Sequence, residues 1–400
     1  MKKSFADIVR ESAGENLKRL TLKLPEWAPF ASELIIPSRL SCEQCSSSRT
    51  ASYKAQLACR IVSPEPCNGL VKDARGLKDT SSAHGFGRLA DLSGGIGADS
   101  WAFASAGFTV FYNEMNADTA NAAKHNFELL GFPGIIVNNA ELVPGGASSL
   151  LGDFVPDIIY LDPARRSETG GKVFRLEDCS PNLLLLKDEL LHISRHLLVK
   201  LSPMADIALI CSQLGDSVRE VHIVGANGEC KELLLWMDRE HMGNYEIVCG
   251  DISFSPDEES LSEAVYATGE SDFTGKYLYE PSACILKAGC FKLLCGKFAL
   301  RKVGVSTQLY VSDSMSEELQ NNGKYFKIRQ IVPFSGKMLS ALAKEYPRCE
   351  VTARNLPISS DEMRSRMKKT TSGGNIHLFA CRADFSSGTS SRIVLICERV

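Results

Sequence analysis

The stretch Asp91-Leu92-Ser93-Gly94-Gly95-Ile96-Gly97-Ala98-Asp99 decides how the rest of the chain is read. An apolar run ends in a carboxylate, glycines crowd the next positions, and helix-compatible residues resume at Ala98. Glycine permits the tight passage from a buried strand into a helix and lets a ligand approach the backbone. Dinucleotide-binding turns use a similar GxGxxG to seat pyrophosphate on a helix N-terminus. Here Asp91 and Asp99 flank the glycines and would repel phosphate, so a cationic, phosphate-free nucleoside such as S-adenosylmethionine is the better match. Asp91, Ser93, Gly95, Gly97 and Asp99 are the cofactor-holding candidates of this turn.

Outward from the turn, short apolar runs alternate with helical stretches, the pattern of βαβ units on a parallel sheet. The expected strands are 88–92, 109–113, 134–137, 157–161, 196–200, 221–224 and 231–237, a seven-stranded open α/β sheet of the Rossmann-like kind. Helices are expected over 99–106, 117–130 and 181–194, each with apolar spacing enough to cover a sheet face. Glu114, the first acid after the second strand, stands where such folds place a ribose-hydroxyl acceptor. Asn139-Ala140, after the third strand, is positioned to meet an adenine edge through the side-chain amide. Asp162-Pro163-Ala164-Arg165-Arg166 follows the apolar strand Ile158-Ile159-Tyr160-Leu161 at the carboxyl edge of the sheet, where ligands of α/β folds bind. Asp162 could orient or deprotonate a nitrogen nucleophile, and Arg165 and Arg166 could hold an anionic part of the substrate. Lys200-Leu201-Ser202-Pro203 reaches the same edge. His84 and His125 stand alone and read as surface or capping residues.

At 400 residues, 44% hydrophobic and 23% charged, the chain suits two or three domains with a sizeable core. It contains no apolar run of membrane-spanning length and opens on a mixed segment, so a cytoplasmic protein with no membrane partner is expected; oligomeric state is not legible. The 14 cysteines read as core thiols in a reducing compartment. Cys42, Cys45, Cys59 and Cys67 lack a second CxxC, so no metal site is expected. The net charge of −3 hides an asymmetry: residues 273–400 hold 20 Lys and Arg against 10 Asp and Glu, which is +10, leaving −13 on the remainder. A polyanion could use this basic end.

Residues 1–70 read as an N-terminal helical region, with one helix over 5–24 ended by Pro25 and Pro29 and a second over 50–58 introduced by Ser46 to Ser48. The core then occupies 71–245 and a C-terminal α+β region 246–400. That region opens on Asp251–Asp272, which holds seven acids and no Lys or Arg and reads as a linker or exposed excursion.

Taken together, Ser38-Arg39-Leu40-Ser41-Cys42-Glu43-Gln44-Cys45-Ser46-Ser47, Thr50-Ala51, Tyr53-Lys54-Ala55, the glycine turn, Asp162 to Arg166, Leu278-Tyr279-Glu280-Pro281 and Arg354-Asn355-Leu356-Pro357 resemble a bacterial family of class I S-adenosylmethionine-dependent methyltransferases with a C-terminal ferredoxin-like and THUMP-like region. The resemblance implies that Glu43 to Ser47 closes over the cofactor, which makes Gln44, Ser46 and Ser47 binding candidates. It also implies that Asp162 to Arg166 takes the place of the Asp/Asn-Pro-Pro-aromatic motif of amino-methylating enzymes, without its second proline and without its aromatic. The implied function is methyl transfer to RNA. An NAD-dependent oxidoreductase built on the same turn and a non-catalytic RNA-binding protein with a methyltransferase fold are the alternatives.

Overall fold

The computed structural model describes residues 5–63, 86–165, 175–368 and 370–400. His84, Cys67 and Arg166 lie outside them. The chain divides into two compact units, Met1–Ala226 with Lys231–Tyr245, and Asn227–Cys230 with Glu246–Val400.

In the first unit, α1 (Phe5–Lys23) runs into a 3-10 turn, Pro25–Phe30, that contains both prolines expected to end it. The helices α2 (Arg39–Gln44) and α3 (Ser48–Val62) follow, capped by the side chains of Ser38 and Ser47. Ser47 and Thr50 form a reciprocal capping box that fixes where α3 starts. Ala51, Ala55 and Ala58 recur at helical spacing, and their small side chains let α3 lie in the core formed by Leu89, Phe103, Tyr112 and Tyr160.

The strands of this unit are β1 (Gly87–Asp91), β2 (Phe108–Asn113), β3 (Ile136–Asn138), β4 (Ile158–Leu161), β5 (His196–Leu201), β6 (Val218–Ala226) and β7 (Glu229–Asp238). Their order in the sheet is β6-β7-β5-β4-β1-β2-β3. The pairs β1–β2, β2–β3, β1–β4 and β4–β5 are parallel, and β7 runs antiparallel to β5. The sheet numbers nine strands in all, two more than the sequence suggested. The longer interleaved helices are α4 (Ala98–Ser105), α5 (Ala117–Leu129), α6 (Leu183–Ile193) and α7 (Ile207–Leu214). All of β4 is buried, as expected of a strand covered on both faces. The chain moves from β1 to one side of the sheet through β2 and returns to the other side with β4, so the carboxyl ends of β1 and β4 flank a topological switch point. No helix among the described residues is long and apolar enough to cross a membrane.

The second unit opens on an antiparallel hairpin, β8 (Glu246–Cys249) and β9 (Ile252–Phe254). Here the linker reading of Asp251–Asp272 fails, because three of its acids, Glu258, Glu259 and Asp272, make defined hydrogen bonds. Ser255 and Glu258 form the capping box of the helix Pro256–Leu261, Glu259 accepts from the backbone amides of Lys292 and Leu293, and Asp272 accepts from the Thr268 amide at 2.6 Å. Ala267, within the same stretch, is fully buried. Charge content alone did not distinguish solvated acids from capping acids.

Next come β10 (Tyr277–Pro281), β11 (Arg301–Lys302), β12 (Tyr310–Ser312), β13 (Gly323–Pro333), β14 (Glu350–Arg354), β15 (Ile376–Asp384) and β16 (Ser390–Arg399), one sheet ordered β11-β12-β10-β13-β16-β15-β14. Successive residues along its strands serve opposite faces: Phe379 and Leu395 pack with Leu278 and Phe326, whereas Leu378 and Ile396 pack with Leu339, Leu342 and Met363. Two stretches singled out in the sequence meet here, as Arg354 bonds Glu280 at 2.9 Å.

Candidate functional site

The site is built on the turn between β1 and α4. Asp91 ends β1 almost fully buried, accepting from the Ser93 amide at 3.1 Å and from the Ser100 hydroxyl at 2.6 Å. Burial pushes its carboxyl up to about 7, reinforced by the charges of Asp99 and Asp162 and opposed by those two hydrogen bonds. The Gly94 amide donates to the Asn113 carbonyl at 2.8 Å, which ties the turn to the end of β2. A Cβ on Gly94 would lie 2.1 Å from the Tyr112 ring, and one on Gly97 (φ +89°) 2.4 Å from the Phe127 ring. Gly95 differs: its φ is +54°, yet a Cβ there would meet nothing within 4 Å. Of the three, Gly95 alone faces open space at the strand-end edge of the sheet.

Glu114 receives the Gly95 amide at 3.0 Å and the Asn116 amide at 2.8 Å, one on each carboxylate oxygen, so the group is held beside the open face of the turn. Each oxygen retains a lone pair for a ligand hydroxyl. Asn139 donates its amide to the carbonyls of Glu114 (2.6 Å) and Met115 (3.1 Å), so its nitrogen is committed to the backbone. The Ala140 carbonyl accepts from Asn113 at 3.0 Å.

Of the expected lid residues, Ser46 is the one bound inward. Ser46 is buried, donates to Asp99 at 2.9 Å and accepts from Lys54 at 2.9 Å. Ser47 caps α3, and Gln44 is exposed at the end of α2. Lys23 donates to the carbonyls of Cys42, Glu43 and Cys45, the exposed C-terminal carbonyls of α2, and thereby pins the segment against α1. His125 meets the Glu33 carbonyl at 3.0 Å on the surface.

Asp99 likewise points into the protein. Its carboxylate accepts from Ser46 and from Tyr160, both at 2.9 Å, and lies 3.3 Å from the Lys54 ammonium. Lys54, fully buried, also donates to Glu232 of β7 at 2.7 Å. Burial works against the Asp99 carboxylate, but the ammonium groups of Lys54 and Lys200 and the two hydroxyl donors hold its carboxyl below the usual range. For Glu232 burial prevails, and its carboxyl is raised despite both lysines. Sequence reasoning missed Glu232 and Tyr160, and Lys54 entered only as part of a family stretch: a lysine in a helix is ordinarily solvated, and no local pattern marks one that must pair inside.

Asp162 stands at the end of β4 with its amide on the Ser93 hydroxyl at 2.6 Å, which joins the β4 edge to the glycine turn. Its carboxylate meets Lys200 of β5 at 2.5 Å. Leu161 and Val199 are register partners, so the next residue on each strand faces across the same edge. Burial weighs against the Lys200 ammonium, yet the carboxylates of Asp162, Asp99 and Glu232 together raise its pKa. Ala164–Arg165 forms a short antiparallel pair with Cys179–Ser180.

Among solved structures, the fold matches a protein of Porphyromonas gingivalis W83 described as a methyltransferase, with a TM-score of 0.79 and 33% identity over 96% of this chain and 88% of that one. Residues 277–319 match a ferredoxin-like domain and 323–399 a THUMP domain-like family. The chain belongs to this methyltransferase family. The family's two C-terminal modules share one sheet here, β10 to β12 from the first and β13 to β16 from the second. Smaller likenesses reach the human methyltransferase 10 domain containing protein (16% identity, 60% of this chain and 99% of that one, TM-score 0.38) and a SAM-dependent methyltransferase of Agrobacterium tumefaciens (19%, 48% and 62%, 0.30). No curated protein matches the sequence.

Proposed function

We propose that the protein is a cytoplasmic enzyme that transfers the methyl group of S-adenosylmethionine to RNA. The observation that carries the reading is the open face of Gly95 beside the doubly anchored Glu114. This cradle suits a nucleoside: the glycine leaves room for its body, and the carboxylate offers lone pairs to vicinal hydroxyls. Glu114 and the ionised form of Asp91 make the surroundings unfavourable to pyrophosphate and favourable to a cation, which supports S-adenosylmethionine over NAD. Gly95 and Glu114 would hold the cofactor directly. Asp91, Ser93 and Gly97 would shape the turn, Ser46, Ser47 and Asp99 would secure the segment over it, and Asn139 and Ala140 would fix the backbone near Glu114.

The bound cofactor supplies a methyl group already activated by a sulfonium charge. The protein's task is then alignment and exclusion of water, with little acid–base machinery. Asp162, tied to the turn through Ser93, is placed to take or orient the proton of an acceptor nitrogen, and Arg165 and Arg166 would meet anionic parts of the substrate. RNA as substrate is supported by the THUMP-like match and by the +10 charge of residues 273–400.

Calorimetry with S-adenosylmethionine, its demethylated product and NAD tests the cofactor. Binding of NAD without a response to the other two would overturn the assignment. Labelled S-adenosylmethionine with RNA from a strain lacking the protein tests the substrate, and cofactor binding without transfer to RNA would favour a non-catalytic RNA-binding protein.

A further inference from the structure

Lys200 is a nearly buried ammonium with few partners. Its side chain is 14% exposed, and among the described residues it donates only to the Asp162 carboxylate oxygen Oδ2. An ammonium has three N–H donors, so two remain at the sheet edge. Asp162 keeps a complementary surplus: its second oxygen, Oδ1, accepts from nothing among the described residues. The charged groups around Lys200 are Asp162 at the end of β4, Asp99 on α4 and Glu232 on β7, with Lys54 of α3 between the last two and the Cys45 thiol nearby. Among the described residues nothing in that set hydrogen-bonds the two remaining donors, and the carboxylates keep the ammonium charged.

A fixed cation beside an unpaired carboxylate oxygen selects one kind of nitrogen. Methylation of an exocyclic amine develops positive charge on the base, which a neighbouring ammonium opposes. Methylation of a lactam nitrogen, –CO–NH–, first places negative charge on the carbonyl oxygen, which preorganised donors stabilise. We propose that Lys200 and Asp162 form a lactam-recognising pair, and that the acceptor is the ring nitrogen of a guanine or uracil, with Lys200 as a catalytic residue on its carbonyl oxygen. The proposal rests on the methyltransferase reading above.

The chemistry balances. Asp162 Oδ1 takes the ring N–H proton, and the electron pair of that bond spreads onto the carbonyl oxygen held by Lys200 Nζ. The nitrogen then bonds to the sulfonium methyl carbon while the carbon–sulfur bond breaks and its electron pair goes to sulfur. A neutral thioether and an N-methyl lactam result, and Asp162 later releases the proton to water.

The test uses the full-length protein, labelled S-adenosylmethionine and total RNA from a strain lacking it, with nucleosides identified by mass spectrometry. A ring-nitrogen methylguanosine or methyluridine is the expected product. A methylated exocyclic amine, a methyl group on carbon or ribose, or no methylated nucleoside overturns the inference. Calorimetry with S-adenosylmethionine on the same preparation separates the two failures: no cofactor binding sinks the function, whereas binding with another product sinks only the lactam pair. Lys200→Met should lower kcat about 100- to 1000-fold with cofactor affinity retained, and Lys200→Arg should recover part of the loss. A readout without turnover is the ultraviolet titration of guanosine and uridine monophosphates on the protein. Wild type should lower the lactam pKa of the bound nucleotide relative to free nucleotide and Lys200→Met should not; equal titration in both overturns the role of Lys200.

Discussion

Two alanine substitutions two positions apart should behave oppositely. In Gly97→Ala the new Cβ would stand 2.4 Å from a carbon of the buried Phe127 ring, at a backbone φ of +89°. The left-handed region costs about 1–2 kcal/mol for an L-residue and overpacking about 1–3 kcal/mol. The gain from a stiffer unfolded chain returns about 0.4–1 kcal/mol. The net loss is about 3 kcal/mol, which for a unit of this size lowers Tm by about 6–12 °C. In Gly95→Ala the backbone penalty at φ +54° recurs, but nothing lies within 4 Å of the Cβ. With the unfolded-state gain set against it, stability falls by about 1 kcal/mol or less. The added methyl instead occupies the open face beside Glu114 and should weaken S-adenosylmethionine at least about tenfold, or about 1.4 kcal/mol. Thermal unfolding and calorimetry on both variants give a two-by-two result. A Gly95→Ala protein that binds the cofactor as wild type does would refute the placement of the ligand over this turn, and an unshifted Tm in Gly97→Ala would refute the packing argument.

Asp91 should give the protein a characteristic dependence on pH. Its carboxyl titrates at about 7 when folded and at about 3.9 in an unfolded chain, so between these values the folded state holds the extra proton. Its contribution to stability is therefore present below about pH 4 and lost as pH rises toward 7, on the order of a few kcal/mol. Asp91→Asn should flatten that part of the stability curve, and an unchanged slope would contradict the raised value. A cationic cofactor beside Asp91 should favour the ionised form, so its affinity should rise with pH around neutrality with release of a proton, measurable by calorimetry in buffers of different ionisation enthalpy. Lys54→Met removes the ammonium that both buried acids, Asp99 and Glu232, contact directly; denaturant unfolding should show a loss of about 3–5 kcal/mol, and a loss under about 1 kcal/mol would mean the cluster is solvated. Asp162→Ala should reduce methyl transfer about 10²- to 10⁴-fold while cofactor affinity stays largely intact, and unchanged transfer would remove Asp162 from the mechanism.

The fold was legible where the sequence period and the burial agree. The strands around Leu89, Val110 and Ile158 are apolar on both faces because helices cover both, and the turn glycines sit where Tyr112 and Phe127 leave no room for a Cβ. Glu114 and Asp162 were legible because chain order alone places them at strand ends. The inward roles were not. Asp99 reads in sequence as a charge beside a ligand, yet it faces Ser46, Lys54 and Tyr160, brought together from the segment before α3, from α3 and from β4. Such a cluster depends on which faces of distant elements meet, and no local pattern encodes that. The acids of residues 251–272 misled for a related reason, since whether a carboxylate caps a helix or meets water depends on backbone amides elsewhere in the chain.

The sheet shared by the ferredoxin-like and THUMP-like segments has a practical meaning for anyone dissecting the protein. The boundary between them falls just before β13, and β13 is bonded on one side to β10 through the register Tyr277↔Lys327 to Pro281↔Gly323, and on the other to β16. A fragment starting at Gly323 would lose β10 and uncover the edge of β13 over Gly323 to Lys327, an open template for pairing with another chain. Units of descent and units of folding do not coincide here. Fragments meant to retain the basic end in soluble, monomeric form should begin upstream of Tyr277.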